Sequence, residues 1–153
     1  MKIRHGMILA AGLGKRMQPL TNKKPKPLLE IGGITLLERA INLLINHGVK
    51  EISVNIHHLG DQIEKYISDF KSEVKIKISN EKDSLLDTGG GVKKGTKDFK
   101  ENPFFVINPD TLWSNKYSEE VQSLEKEYFT NKRPCLLLVK KELSLDNSFK
   151  GDF

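Results

Sequence analysis

Two glycines and two cations stand in the stretch Ala10-Ala11-Gly12-Leu13-Gly14-Lys15-Arg16-Met17, directly after an apolar run. Glycines let a backbone approach phosphate oxygens closely and aim N–H groups at them, and Lys15 and Arg16 supply charge-assisted hydrogen bonds. The stretch therefore suits phosphate binding. A dinucleotide fingerprint would need a third glycine where Arg16 and Met17 stand. A Walker loop would need Ser or Thr after Lys15, where Arg16 follows. A tight strand-to-loop turn carrying solvated cations is the alternative reading of the same residues.

Two further positions bear on that chemistry. In Lys23-Lys24-Pro25-Lys26-Pro27-Leu28, prolines flank Lys26 on both sides and predict an extended backbone that aims its ammonium. A lysine held this way can neutralise a second phosphate across from the glycine loop. The other is Asp110 in Asn108-Pro109-Asp110, just after the apolar run Phe104-Phe105-Val106-Ile107. An acid at the carboxyl edge of a parallel sheet stands where α/β proteins bind ligands, and Mg²⁺ takes one or two carboxylates together with water and substrate phosphates. An Asx turn or helix cap is the alternative role for Asp110.

Other reactive residue types carry less. His57 and His58 are adjacent after a strand and point to opposite faces, which makes a poor metal pair and leaves packing or hydrogen bonding. Trp113 beside Asp110 serves equally as a sugar contact or as an aromatic anchor. The single cysteine, Cys135, lies in an apolar run and reads as a buried, inert thiol.

The elements that must position these residues alternate strand and helix, which predicts an α/β domain with a mostly parallel sheet and helices on both faces. The first strand is read at Met7 to Ala10, followed by a long loop to Gly33 rich in glycine and proline. Loops of that length without regular structure are often functional. Thr35 with Glu38 makes a capping box, the apolar residues from Leu36 to Ile45 share a helical face, and Gly48 ends that helix. Ile52, Val54 and Ile56 alternate as a strand, and Ile63, Tyr66, Ile67 and Phe70 follow at helical spacing. Val74, Ile76 and Ile78 alternate with polar residues, which predicts a strand near a sheet edge. Phe104 to Ile107 and Cys135 to Val139 both read as fully buried central strands, with a helix carrying Val121, Leu124 and Tyr128 between them.

The whole chain, 153 residues with 37% hydrophobic and 29% charged side chains, has the make-up of one soluble globular domain, 1-153. Its net charge of +5 favours anionic partners. The lysines are scattered and few aromatics lie between them, so phosphorylated small molecules suit it better than nucleic acid. No apolar segment suits a targeting peptide or a membrane span, and a cytoplasmic protein with no membrane partner is expected. The tail from Lys140 has no apolar periodicity, and the chain is expected to lack a C-terminal portion.

Together, Leu9-Ala10-Ala11-Gly12-Leu13-Gly14-Lys15-Arg16-Met17-Gln18-Pro19-Leu20-Thr21 and Pro25-Lys26-Pro27-Leu28 resemble the signature of sugar-1-phosphate nucleotidyltransferases. Leu86-Asp87-Thr88-Gly89-Gly90-Gly91 and Asn108-Pro109-Asp110-Thr111-Leu112-Trp113 resemble, within it, the N-acetylmuramate 1-phosphate uridylyltransferases of cell-wall recycling. The resemblance implies a Rossmann-like nucleotidyltransferase fold and a substrate pair of nucleoside triphosphate and sugar 1-phosphate. UMP from UTP would pass to the sugar phosphate, with release of pyrophosphate.

By the same resemblance, Ala10, Ala11 and Gly12 line base and ribose, Gly12 to Gly14 with Arg16 hold the triphosphate, and Lys26 meets the reacting phosphates. Thr88 and Gly89 belong to a loop that closes on the base, and Glu81 lies near the position that reads the base edge. Asp110 is the first Mg²⁺ ligand, and Asn108 and Gly151 belong to the sugar side. Pro109 departs from the family, which usually carries glycine before the metal aspartate. Two other readings stay open: a transferase for another base and sugar (dTTP with glucose 1-phosphate, GTP with mannose 1-phosphate, CTP with phosphocholine), or a non-catalytic nucleotide-sugar-binding or regulatory relative.

Overall fold

The computed structural model of the chain describes residues 1–143. Gly151 and the segment around it lie outside the described residues. Among the described residues six strands form, β1 (His5–Leu9), β2 (Glu30–Ile31), β3 (Ile34–Thr35), β4 (Glu51–Ile56), β5 (Lys75–Asn80) and β6 (Phe104–Ile107), with four α-helices, α1 (Leu36–His47), α2 (Gly60–Asp69), α3 (Asp87–Gly95) and α4 (Ser118–Asn131). The main sheet has the order β5-β4-β1-β6 and is parallel at every pairing. β2 and β3 make a separate antiparallel pair. Among the described residues no helix is long and apolar enough to cross a membrane.

Alternation along β1 and β4 builds the two faces. Gly6 pairs with Ile52 and Ile8 with Val54 on one face, and Met7 pairs with Ser53 on the other. On the first face α1 lies so close that a Cβ on Gly6 would stand 2.6 Å from Leu44 Cδ1. Ile8, Leu37, Ile41, Leu44, Ile52, Val54, Ile56 and Ile63 are essentially inaccessible there, each contributing about 1.5–3 kcal/mol of burial. α3 covers the other face, where a Cβ on Gly95 would meet Met7 Sδ at 2.7 Å. Helices thus stand on both faces, as the alternation of elements predicts.

The cap expected at Thr35 forms, with its hydroxyl accepting from Glu38 N at 3.0 Å. The reciprocal half does not, because Glu38 Oε2 instead accepts from the Tyr66 hydroxyl at 2.7 Å. Gly48 ends α1 at φ 102°, where a side chain would be strained. β5 is an edge strand, as its half-polar pattern predicts.

Two strand expectations are corrected. Among the described residues Phe104 to Ile107 pairs only with β1 and Val106 is 42% exposed, so within them it is an edge rather than a central strand. Cys135 to Val139 forms no strand: Leu136, Leu138 and Val139 are more than half exposed, and Cys135 is half-buried with its thiol donating to Arg133 O at 3.2 Å. An apolar run becomes a buried strand only where a ladder partner and a covering layer exist, and no described strand pairs with it.

Candidate functional site

β1 delivers the chain to Ala10 and Ala11, which are buried, and to a turn that only glycine enters easily at Gly14 (φ 65°). The Thr21 hydroxyl, itself buried, donates to Gly14 O at 2.8 Å. A Cβ on Gly14 would meet Thr21 Cγ2 at 2.9 Å. Lys15–Met17 then closes a 3-10 turn through Met17 N to Gly14 O at 2.9 Å, leaving Lys15 and Arg16 exposed. The long loop predicted after β1 is thus three short 3-10 turns and the first of the small strands.

Lys26 is aimed, though not as an extended residue. Pro25 takes the extended conformation (φ −64°, ψ 145°), and Lys26–Leu28 forms a 3-10 turn. Proline is tolerated at the start of a helical turn because the N–H it lacks has no acceptor there. Buried Pro27 and Leu28 anchor the turn. Lys26 Nζ reaches Asp110 Oδ2 at 2.5 Å, with the side chains 25% and 41% exposed.

Asp110 stands at the carboxyl end of β6, after a buried Pro109. Asn108 O accepts from Trp113 Nε1 at 2.8 Å, and the indole packs edge-on against Tyr117 with ring centroids 5.2 Å apart. Trp113 is therefore an anchor for the β6 exit. His57 Nδ1 lies 2.8 Å from Glu81 O and His58 Nε2 3.3 Å from Thr21 O, so both histidines serve in hydrogen bonding.

Glu81 follows β5 and is buried, with Oε1 accepting from Asn55 Nδ2 at 2.8 Å and Oε2 from Leu86 N at 3.0 Å. Asn55 Oδ1 in turn accepts from Ala10 N at 2.7 Å. Thr88 and Gly89 lie in the first turn of α3 rather than in a loop, after Asp87 at φ 59°. The Asp87 carboxylate accepts from Thr88 N at 2.9 Å, a local bond within the first turn, and no side chain caps the helix. A Cβ on Gly91 would stand 2.7 Å from Asn55 Nδ2, so that glycine serves close packing of α3 on the sheet.

Ala10, Ala11, Gly12, Gly14, Lys15, Arg16, Lys26, Glu81, Thr88, Asn108 and Asp110 line one cleft of about 540 Å³ at the carboxyl edge of the sheet. Gly89 is exposed and does not line it. Asp87 of the motif that opens α3 lines the cleft as well, as do Asn55 and Leu85, to which the sequence reading assigns no role. For Asn55 a signal existed: an amide inside a strand covered on both faces needs buried partners. The cleft offers a cationic rim at Lys15, Arg16 and Lys26 and a hard oxygen donor at Asp110, an arrangement that can accept a polyphosphate.

Residues 5–142 match the nucleotidyl transferase family. The chain is 34% identical over 150 residues to the N-acetylmuramate alpha-1-phosphate uridylyltransferase of Caulobacter vibrioides, a match covering 95% of this chain and 62% of that protein. It is 30% identical to HddC from Yersinia pseudotuberculosis, solved in complex with GMP-PN, with a TM-score of 0.64 over 79% of this chain and 54% of that one. A UDP-glucose pyrophosphorylase solved with UDP-glucose shares the fold at 20% identity, TM-score 0.69, over 83% of this chain and 54% of that one. The chain thus spans a little over half the length of each of these three proteins. With that match over nearly its whole length, and with its phosphate-suited loop at the carboxyl edge of a parallel sheet, the chain belongs to the nucleotidyl transferase family.

Proposed function

We propose that this chain carries the nucleotide-binding portion of a cytoplasmic sugar-1-phosphate nucleotidyltransferase, passing UMP from UTP to N-acetylmuramate 1-phosphate in cell-wall recycling. The observation that carries the reading is the meeting of Lys26 and Asp110, 84 positions apart, across a cleft whose other wall is the Gly12-to-Arg16 loop. The names of the Caulobacter relative and of a 38%-identical Neisseria meningitidis protein, also an N-acetylmuramate alpha-1-phosphate uridylyltransferase, support the choice of base and sugar.

In the reaction an oxygen of the sugar phosphate bonds to the α-phosphorus in line, the bond from that phosphorus to the bridging oxygen breaks, and the electron pair leaves with pyrophosphate. No covalent link to the protein is needed. Backbone N–H groups from Gly12 to Gly14 and the guanidinium of Arg16 bind the triphosphate, and Lys26 offsets the repulsion between the two anions. Ala10 and Ala11 provide an apolar floor for base and ribose, and Thr88 at the start of α3 borders the base side.

Asp110 suits Mg²⁺ as one hard, half-exposed carboxylate, with water and phosphate oxygens completing the shell. Among the described residues no group of three or more His, Cys, Asp or Glu could hold a metal, so water and substrate oxygens would have to supply most of the ion's shell. Bound there, the ion would neutralise charge developing on the phosphates.

Calorimetric titration of the chain with UTP, dTTP, CTP, GTP and ATP, with and without Mg²⁺, tests the reading. Preferential UTP binding that weakens in Arg16→Ala is the expected result. Preference for GTP would move the proposal to guanylyl transfer, and absence of any nucleotide binding would overturn it.

A further inference from the structure

A single buried carboxylate joins three walls of the cleft. Glu81 is 1% exposed and Asn55 3% exposed, and together they link two backbone amides: Leu86 N–H donates to Glu81, the Asn55 amide donates to Glu81, and Ala10 N–H donates to Asn55. The orientation of the Asn55 amide follows from the chemistry. A backbone N–H only donates, so Oδ1 must face Ala10 and Nδ2 is left to face Glu81. Ala10 begins the glycine-rich loop, and Leu86 immediately precedes α3, so the pair sets the spacing between the two segments that flank the nucleotide cleft. α3 rests on the pair itself, since a Cβ on Gly91 would lie 2.9 Å from Glu81 Oε1.

A buried carboxylate is costly unless hydrogen-bonded, and apolar side chains could fill the same space without it. What apolar side chains cannot do is hold two backbone amides at once. We infer that Asn55 and Glu81 are a positioning pair: they act on nucleotide through Ala10 and the entry to α3, without themselves having to touch phosphate. The inference rests on the nucleotide-binding reading above and deepens it.

Exchange of the two side-chain chemistries separates positioning from mere packing. In Asn55→Asp two carboxylates face each other and the donor to Glu81 is lost. In Glu81→Gln the new amide must turn its NH2 toward either Leu86 N or Asn55 Nδ2, both donors. Each single variant is expected to weaken UTP binding by about tenfold or more, measured per folded molecule by calorimetry. The double variant Asn55→Asp with Glu81→Gln restores every hydrogen bond. The carboxylate now at position 55 accepts from Ala10 N and from the amide now at position 81, whose oxygen accepts from Leu86 N. Affinity of the double variant should return to within about threefold of the unaltered chain.

Amide hydrogen exchange at Ala10 and Leu86, measured without nucleotide, supplies a second readout that a general loss of packing would not confine to these two positions. Protection should fall in both single variants and return in the double one. If the double variant folds and stays as weak as the singles, Glu81 is read directly by the ligand and the inference is overturned. Unchanged protection in the singles overturns it as well. If a single variant does not fold, recovery of both fold and affinity in the double variant carries the test. If the unaltered chain binds no nucleotide, the functional reading fails and the positioning role fails with it, while the exchange rates still report whether the pair holds the two amides.

Discussion

Lys26 Nζ stands 2.5 Å from Asp110 Oδ2, tying the turn after the first loop to the end of β6. Both side chains are partly exposed, at 25% and 41%, so the pair contributes only about 0.2–1 kcal/mol to stability. Its value lies in placing a cation where phosphates gather. Lys26→Met is expected to leave the urea midpoint nearly unchanged and to weaken UTP binding by about tenfold, the scale of one charge-assisted hydrogen bond. A large loss of stability with unchanged affinity would make the pair a structural clamp instead.

Gly89 and Gly91 separate two uses of glycine within one motif. A Cβ on Gly91 would stand 2.7 Å from Asn55 Nδ2, so Gly91→Ala should destabilise the fold by about 1–3 kcal/mol through overpacking. Beyond the helix's own backbone and the neighbouring residues, no heavy atom lies within 4 Å of where a methyl on Gly89 would stand, and its φ is not positive. Gly89→Ala should therefore stabilise by about 0.4–1 kcal/mol through the unfolded chain. Urea midpoints of the two variants moving in opposite directions are the expected outcome. Equal losses would mean that α3 is held some other way.

What could be read in advance was chiefly local. The helix from Leu36, its cap at Thr35 and its stop at Gly48 depend on residues within a few positions of one another, and all three form. The glycine loop, Lys26 and Asp110 could be placed at one sheet edge because each follows or faces a parallel strand end. The run from Cys135 to Val139 misleads because apolar composition says what a strand would bury, not whether a partner strand stands beside it. Asn55 went unread for a related reason. Its partners, Ala10 and Glu81, lie 45 and 26 positions away, and nothing near it in sequence signals either.

Lys77 links β5 to β4 and to the segment after α3, with Nζ 2.7 Å from Glu51 Oε1 and 2.9 Å from Asp98 Oδ2. Its hydrogen bonds hold both carboxyls below their ordinary values, and the ammonium is raised in turn. A carboxyl whose folded value is lowered stabilises the fold above its ordinary value, and that contribution is lost as pH falls through the folded one. The raised lysine loses its contribution only in strong alkali. Melting temperature should therefore drop as pH falls below the ordinary carboxylate range in the unaltered chain, and less steeply in Lys77→Met. Parallel profiles would show that other carboxyls dominate acid unfolding.

Glu125 on α4 is buried, its Oε1 accepting from Ile3 N at 2.6 Å and its Oε2 lying 3.3 Å from His47 Nε2 at the end of α1. His47 packs edge-on against Phe105 of β6, with centroids 5.1 Å apart. One carboxylate thus fastens the N-terminal segment to α4 and stands beside the end of α1. Glu125→Leu keeps the bulk and removes the acceptor, leaving the buried Ile3 N–H unpartnered, so a loss of about 1–3 kcal/mol is expected in urea unfolding. Glu125→Gln keeps an oxygen for Ile3 N and should cost less than about 1 kcal/mol. If both variants lost the same stability, packing rather than hydrogen bonding would be what holds α4 in place. If neither lost any, α4 would be fastened by its apolar contacts at Val121 and Leu124 alone.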